Sequence, residues 1–241
     1  MKKLSQIIAQ TGVQIYREIV PVALFSIVSS LVLLPLVFFL PIGLAVVLAV
    51  LLYLPVCTGV LYAAHRMLDG EKPRLSVMWA GTFKFFGASV VYGAMMSLFV
   101  LILLSSWWYY GGKSGMVYFS LAVFQTYFVA MAIVSQVYTL PLVVQERMNV
   151  FAAIARSVKL FVGNPLYTIG AFFQIVCLTL VLGITIVGFG CVYVGMMGVY
   201  LNMLTANLIR REEHADEEAG GGGRESRSLE LDGRAEARAL C

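Results

Sequence analysis

Charged residues are scarce in this sequence and are missing from long parts of it. Only 12% of the 241 residues are charged and 60% are hydrophobic, whereas soluble proteins average about 25% charged residues. Between Gly87 and Leu142 Lys113 is the one charged residue, and between Leu160 and Ile209 there is none. Because roughly 20 apolar residues cross the hydrocarbon core of a bilayer, the sequence predicts a polytopic integral membrane protein.

The apolar stretches also lack the groups that intramembrane chemistry uses. Acidic and basic side chains inside a span mark proton relays and ion paths, and the apolar stretches contain neither. Zinc-protease, phosphate-binding-loop and serine-hydrolase motifs are missing from the sequence as well. We therefore expect a non-enzymatic protein with no catalytic residue, no metal site and no cofactor; an intramembrane enzyme is the least favoured class.

Cysteine is equally rare. Cys57, Cys177 and Cys191 lie in apolar stretches and Cys241 is the last residue. None of the spacings is that of a metal site, and nothing indicates a disulfide framework. We expect buried free thiols that behave as small hydrophobic side chains.

Six apolar runs are long enough to cross a membrane as helices. Backbone polar groups must be satisfied internally in lipid, which leaves helices as the choice at these lengths. The predicted fold is therefore all-α, a polytopic helical membrane protein with six transmembrane helices. The predicted spans are residues 21–40, 44–64, 87–108, 117–142, 165–187 and 191–209, and the fourth is expected to be tilted or extended.

The basic residues predict the orientation. Twelve Lys and Arg residues fall on one side of this map and Lys113 alone falls on the other. Because such residues are retained in the cytoplasm, both termini are expected there, in a bacterial inner membrane. The basic charge is thus a topology signal and does not indicate nucleic-acid binding. The inner-interface residues include Arg66, Lys84, Arg147, Arg156 and Lys159.

Amphipathic segments precede the first, third and fifth spans. Apolar residues recur there at helical spacing, as in Leu75, Met78, Thr82 and Phe86. The spacing predicts short amphipathic helices that lie in the cytoplasmic interface. Each is followed by a helical hairpin, which is typical either of a threefold internal repeat or of ordinary joints between spans.

Prolines and small residues predict local features of the spans. Pro55 should distort the second span, and Asn164-Pro165 should begin the fifth. Small residues four positions apart favour close helix contacts, within the bundle or between copies in a homo-oligomer. These pairs are Ser26 and Ser30, Ala45 and Ala49, Gly59 and Ala63, and Cys191 and Gly195.

Four uncharged polar residues inside the spans are the candidate site residues. They are Gln125, Gln136, Gln174 and Asn202. Such side chains form hydrogen bonds between helices worth about 1 kcal/mol each. They could equally line a path for a neutral solute, and the sequence leaves both alternatives open.

The last part of the chain, residues 212–241, differs from the rest in composition. Nine of its residues are acidic and four are basic, and glycines occupy 220–223. Low hydrophobicity and a glycine run are typical of disorder. We expect an acidic, Gly-rich cytoplasmic tail.

Four short motifs stand out between residues 20 and 210. They are Tyr-x-x-Pro at 138–141, an alanine-rich helix with a serine over 152–159, Asn164-Pro165, and Pro55 followed by Gly59. Through these motifs, residues 20–210 resemble the YesL-like family of uncharacterised bacterial integral membrane proteins. Through the serine-bearing helix, the chain is also similar to the membrane domain that accompanies bacterial glycerophosphodiester phosphodiesterases. The YesL-like resemblance implies a six-helix protein, often encoded beside carbohydrate import and breakdown systems, without catalytic residues. The acidic tail is not part of this pattern.

Two functions therefore compete. The favoured hypothesis is a non-enzymatic accessory or scaffold protein linked to carbohydrate uptake, whose amphipathic helices meet the lipid bilayer or a membrane or cytoplasmic protein partner. The alternative is a transporter or channel for a neutral or lipidic solute. A cavity in the middle of the spans would favour the alternative.

Overall fold

The structure is a computed structural model that describes residues 4–113 and 115–212. This part of the chain is helical and contains no strand. Beyond Glu212, the predicted tail lies outside the described residues. The main helices are α1 Leu4–Arg17, α2 Ile19–Phe38, α3 Ile42–Leu68, α4 Leu75–Lys84, α5 Phe86–Gly111, α6 Met116–Ser135, α7 Thr139–Glu146, α8 Val150–Gly163, α9 Pro165–Ile184 and α10 Phe189–Glu212.

The prediction of an all-α protein with six membrane spans is confirmed. Six segments of the described chain are long and apolar enough to cross a membrane: α2, α3, α5, α6 with α7, α9 and α10. Several helices run past the predicted limits, since a helix can carry polar residues where it leaves the hydrocarbon. The second span, for example, continues through His65 and Arg66 to Leu68.

The fourth span, predicted over 117–142, consists of two helices. α6 ends at Ser135 and α7 begins at Thr139. Pro141 explains the break, because proline has no N–H and its ring clashes with the carbonyl four residues earlier, at Val137. A new helix that begins at Thr139 places Pro141 in its first turn, where proline is tolerated.

Two other spans contain a widened, π-helical turn. In α3 the turn covers Ala49–Tyr53, and the N–H of Leu54 donates to the carbonyl of Ala49. Pro55 follows at once, so the predicted distortion of the second span takes this form. In α10 the turn covers Phe189–Tyr193.

The small residues predicted in the first and sixth spans face each other. The Ser26 hydroxyl accepts a hydrogen bond from the Gly195 N–H at 2.8 Å, and the Ser30 hydroxyl donates to the Gly190 carbonyl at 2.7 Å. A Cβ atom on Gly195 would lie 2.4 Å from the Val22 carbonyl oxygen. The predicted close contact is confirmed for these two helices.

The core is concentrated at one end of the bundle. Its largest buried side chains include Tyr138, Leu142, Tyr200, Leu204 and Leu208. Half of the most apolar window of the sixth span is buried, against 11% in the third and fifth spans. The sixth span is therefore the central helix.

The same end carries α4, α8 and most of the basic residues, and we call it the basic end. α4 packs closely on α3, because a Cβ atom on Gly59 would lie 2.5 Å from the Met78 carbonyl oxygen. α8 contacts the break in the fourth span, where the Ser157 hydroxyl donates to the Ser135 carbonyl at 2.6 Å. That carbonyl lacks its helical partner, since the Thr139 N–H bonds to Gln136 instead.

Candidate functional site: a cavity between five spans

A cavity of about 330 Å³ lies between the second, third, fourth, fifth and sixth spans. Most of its wall is apolar, with three tyrosines and one cysteine as the polar exceptions. None of the described residues that line it is charged at neutral pH. The lining residues are Tyr53, Cys57, Leu61, Tyr92, Val137, Leu140, Pro141, Phe172, Ile175, Tyr193, Val194, Met197, Gly198 and Leu201.

Three helix distortions meet at this cavity. Tyr53 and Tyr193 are the last residues of the two π-helical turns. Val137 lies in the break of the fourth span, and Pro141 follows it in α7. Single π turns within α-helices occur frequently at functional sites, so their convergence here identifies the cavity as the candidate site.

Two of the three tyrosine hydroxyls of the wall are bonded to the protein itself. The Tyr193 hydroxyl shares a hydrogen bond of 3.0 Å with Thr179. The Tyr92 hydroxyl donates to the Gln136 carbonyl, at the break in the fourth span, over 3.3 Å. The cavity therefore presents mainly aromatic rings and methyl groups, which suit a neutral, largely apolar molecule.

The three predicted glutamines are placed in three different surroundings. Gln136 is buried at the helix break, where it donates to the Ser135 hydroxyl and accepts from Thr139. Gln174 accepts a hydrogen bond of 2.7 Å from Tyr200. Gln125 lines an open groove beside Trp108 and Tyr109, at the other end of the bundle from the core. These contacts favour the packing interpretation for Gln136 and Gln174.

Asn202 joins three spans next to the cavity. Its side-chain amide donates to the carbonyls of Leu61 and Gly198 at 2.9 and 2.8 Å. Gln145, at the end of the fourth span, donates to the side-chain oxygen of Asn202 at 2.9 Å. Leu61 and Gly198 also line the cavity, so this polar layer closes it toward the basic end.

The predicted basic residues form two kinds of contact. Arg66 pairs with Glu71 at 2.8 Å, and the Lys84 ammonium lies 5.5 Å from the centre of the Tyr62 ring. Arg147 is exposed and has a left-handed backbone with φ of 53°, where α7 ends.

Arg156 and Lys159 belong to one ion-pair network. Arg156 contacts both Glu146 and Glu212, and Lys159 lies 2.7 Å from Glu212. The network ties α8 to the ends of the fourth and sixth spans. None of its residues lines the cavity, and the network stabilises the basic end.

Tyr53, Cys57, Tyr92 and Tyr193 were not among the predicted site residues. Their one local signal is a hydroxyl or thiol inside an apolar span, and for Tyr53 the proline two positions later. Similar residues elsewhere in the spans face lipid, such as the exposed Tyr127. Only the three-dimensional arrangement separates the two groups.

Comparisons with protein-family models, with curated proteins and with solved structures gave no match. Membership of the YesL-like family therefore stays a prediction from the sequence motifs. The functional argument below rests on the residues of this chain.

Proposed function

We propose that this multi-pass protein binds a neutral, largely apolar solute in the cavity between the five spans and carries it within or across the cell membrane. The observation that supports this is the cavity itself, about 330 Å³ in volume and lined by apolar side chains with three tyrosines. Ligand pockets of proteins commonly have about 300–1,000 Å³, mostly apolar walls and a few polar groups that set orientation.

The chemistry of the wall supports a neutral solute. A charged group in this cavity would lose its hydration without meeting an opposite charge, which is costly. An apolar solute would supply the van der Waals contacts that the side chains of the wall otherwise lack. The tyrosine rings offer flat surfaces, and a tyrosine hydroxyl oxygen can accept a hydrogen bond from an alcohol group.

The test is to fill the cavity and measure which molecules remain bound. Cys57 lines the cavity, whereas Cys177 is exposed on the fifth span. We would purify the wild-type chain, Cys57→Phe and Cys177→Phe from native membranes and identify retained molecules by native mass spectrometry. The expected result is a neutral apolar molecule on the wild type and on Cys177→Phe, and its loss from Cys57→Phe.

A second measurement keeps the result independent of misfolding. In a chain with Cys57 as its single cysteine, the retained molecule should slow the reaction of Cys57 with N-ethylmaleimide. Size-exclusion profiles and circular dichroism show whether Cys57→Phe is folded. Equal retention by both Phe variants, or no slowing of Cys57 labelling, would reject the proposed binding site.

The orientation proposal is that the basic end faces the cytoplasm. It is supported by the twelve-to-one distribution of Lys and Arg in the sequence. The described members of that set lie on one end of the bundle, on or beside α1, α3, α4, α7, α8 and α10. With six spans, both termini would then be cytoplasmic.

A second candidate function is that of an accessory or scaffold protein. It is favoured by apolar side chains that remain uncovered on α4, where Trp79 is 41% and Phe83 73% exposed beside Lys84. Such a surface suits anionic lipid or a membrane or cytoplasmic protein partner, and the family resemblance suggests a carbohydrate importer.

Photo-crosslinking tests the second candidate. A photoreactive amino acid at Phe83 should yield a protein adduct in native membranes, whereas the same group at exposed Phe128 in the fourth span should yield only lipid adducts. Identical adducts from both positions would count against a scaffold surface on α4.

A further inference from the structure

We propose that a second pocket, at the basic end, binds a small oxyanion, namely a phosphate or carboxylate group. Its volume is about 240 Å³, which is room for a phosphate ion with several waters at about 30 Å³ each. Its polar lining includes His65, Asp69, Gln145, Asn207 and Arg210. We call it the basic-end pocket.

Four helices build this pocket. His65 and Asp69 come from the end of the second span, and Arg210 and Asn207 come from the end of the sixth. Gln145 projects from α7, and α1 closes one side with Ile7, which is 2% exposed. Polar groups from separate helices thus converge in one recess, in contrast to the nearly apolar cavity between the spans.

Arg210 gives the pocket its preference for an anion. Within the described residues Arg210 forms no ion pair, whereas Arg66, Arg156 and Lys159 each contact a carboxylate. The acidic residue of the pocket, Asp69, lies 3.6 Å from the His65 ring nitrogen, and its side chain is 56% exposed, so solvent screens its charge. An arginine guanidinium matches phosphate and carboxylate oxygens with two parallel hydrogen bonds.

The neutral polar groups of the pocket are held in place by the protein. Both N–H groups of the Gln145 amide donate to Asn202, so Gln145 shapes the wall and offers no donor to a ligand. Asn207 donates one N–H to the Tyr167 hydroxyl at 3.1 Å, which orients its amide at the pocket wall and leaves the second N–H for a ligand oxygen. A donor that is already oriented loses little freedom on binding.

This pocket is separate from the cavity of the proposed function. The hydrogen bonds of Asn202 to Leu61 and Gly198 lie between the two. The two sites also differ in ligand chemistry, since one suits a neutral apolar solute and the other an anion. Binding at one can therefore fail while binding at the other holds.

The test uses two neighbouring arginines as a matched pair. Arg210 lines the basic-end pocket, whereas Arg211 lines a different groove beside Glu212. The full chain, Arg210→Gln and Arg211→Gln would be placed in nanodiscs of phosphatidylcholine and titrated calorimetrically with inorganic phosphate. Loss of a charge-assisted hydrogen bond predicts about tenfold weaker binding in Arg210→Gln and little change in Arg211→Gln.

Phosphate can also be supplied by a lipid headgroup, and a second arm separates the sources. Nanodiscs that contain both phosphatidylcholine and phosphatidylglycerol would be analysed for lipids retained by the released protein. If Arg210→Gln abolishes the retention of phosphatidylglycerol and Arg211→Gln keeps it, the result supports a lipid headgroup as the ligand. Phosphate binding in phosphatidylcholine alone supports a small free anion.

Three results would overturn the proposal. They are the absence of both phosphate binding and phosphatidylglycerol retention, equal loss in the two arginine variants, and unchanged binding in Arg210→Gln. A His65→Gln variant adds a readout on another helix, and it should weaken the same binding without changing the size-exclusion profile.

Discussion

The side-chain amide of Gln145 donates to two oxygens of Asn202, the side-chain carbonyl at 2.9 Å and the backbone carbonyl at 3.0 Å. Asn202 in turn donates to carbonyls of the second and sixth spans. The three spans thus share one polar layer, which lies between the cavity and the basic-end pocket. Because Asn202 is only 1% exposed, water cannot take its place at the carbonyls of Leu61 and Gly198.

Asn202→Ala should lower the free energy of unfolding by about 1–2 kcal/mol, because it removes one of the two acceptors of Gln145 and the donor to Leu61. The measurement is reversible unfolding in mixed micelles with increasing sodium dodecyl sulfate. The control is Gln125→Ala, since Gln125 lines an open groove and forms no hydrogen bond within the described residues. Similar losses in the two variants would show that the layer does not stabilise the bundle.

Gly195→Ala should separate the first and sixth spans. The added methyl group would lie 2.4 Å from the Val22 carbonyl oxygen and 3.0 Å from the Ser26 hydroxyl, so the helices must move apart. We expect a loss of about 1–3 kcal/mol in the same unfolding assay, which is typical of overpacking.

Gly183→Ala is the matched control for Gly195→Ala. Gly183 also lies in a span, but no atom is near its Cβ position. Alanine has the higher helix propensity, so this variant should be neutral or slightly more stable. A comparable loss at both glycines would mean that helix contact at Gly195 is not the cause.

Features that depend on local sequence could be predicted. Apolar length alone predicted six spans, and the spacing of Ser26 and Ser30 on one helix face predicted a close helix contact without indicating the sixth span as its partner. Pro55 likewise marks the distortion in the second span, because a missing N–H acts on the residues just before it.

Features that depend on which helices meet could not be predicted. Tyr53 and Tyr193 are separated by 140 positions in the sequence, and only the fold brings them to one cavity. Gln136 is a polar residue in a span, as expected, but its role at the break depends on a proline five positions later and on Ser135. None of the candidate glutamines lines the cavity, which is formed by other residues.

The ion-pair network at Arg156 predicts a salt-dependent loss of stability. Arg156→Ala leaves Glu146 and Glu212 without this partner. The side chains of these three residues are 17% to 29% exposed. We expect about 1 kcal/mol of destabilisation at low ionic strength and a smaller effect at 1 M salt, where screening is strong.

Arg147→Ala is the control for this network. Arg147 is exposed where α7 ends, so removal of its charge should change the unfolding free energy by less than about 0.5 kcal/mol. If the two variants lost equal stability at every salt concentration, net charge and not the network would be responsible.

Cysteine labelling checks the predicted orientation. In a chain whose four native cysteines are replaced by serine, Lys113→Cys and Arg74→Cys place single thiols on opposite sides of the predicted membrane. Lys113 lies between the third and fourth spans, and Arg74 precedes α4 at the basic end.

Because Lys and Arg are retained in the cytoplasm, a membrane-impermeant maleimide added to intact cells should label only Lys113→Cys. After the cells are opened, both thiols should react. Labelling of Arg74→Cys in intact cells would reverse the orientation, and the basic-end pocket would then have to draw its anion from outside the cell.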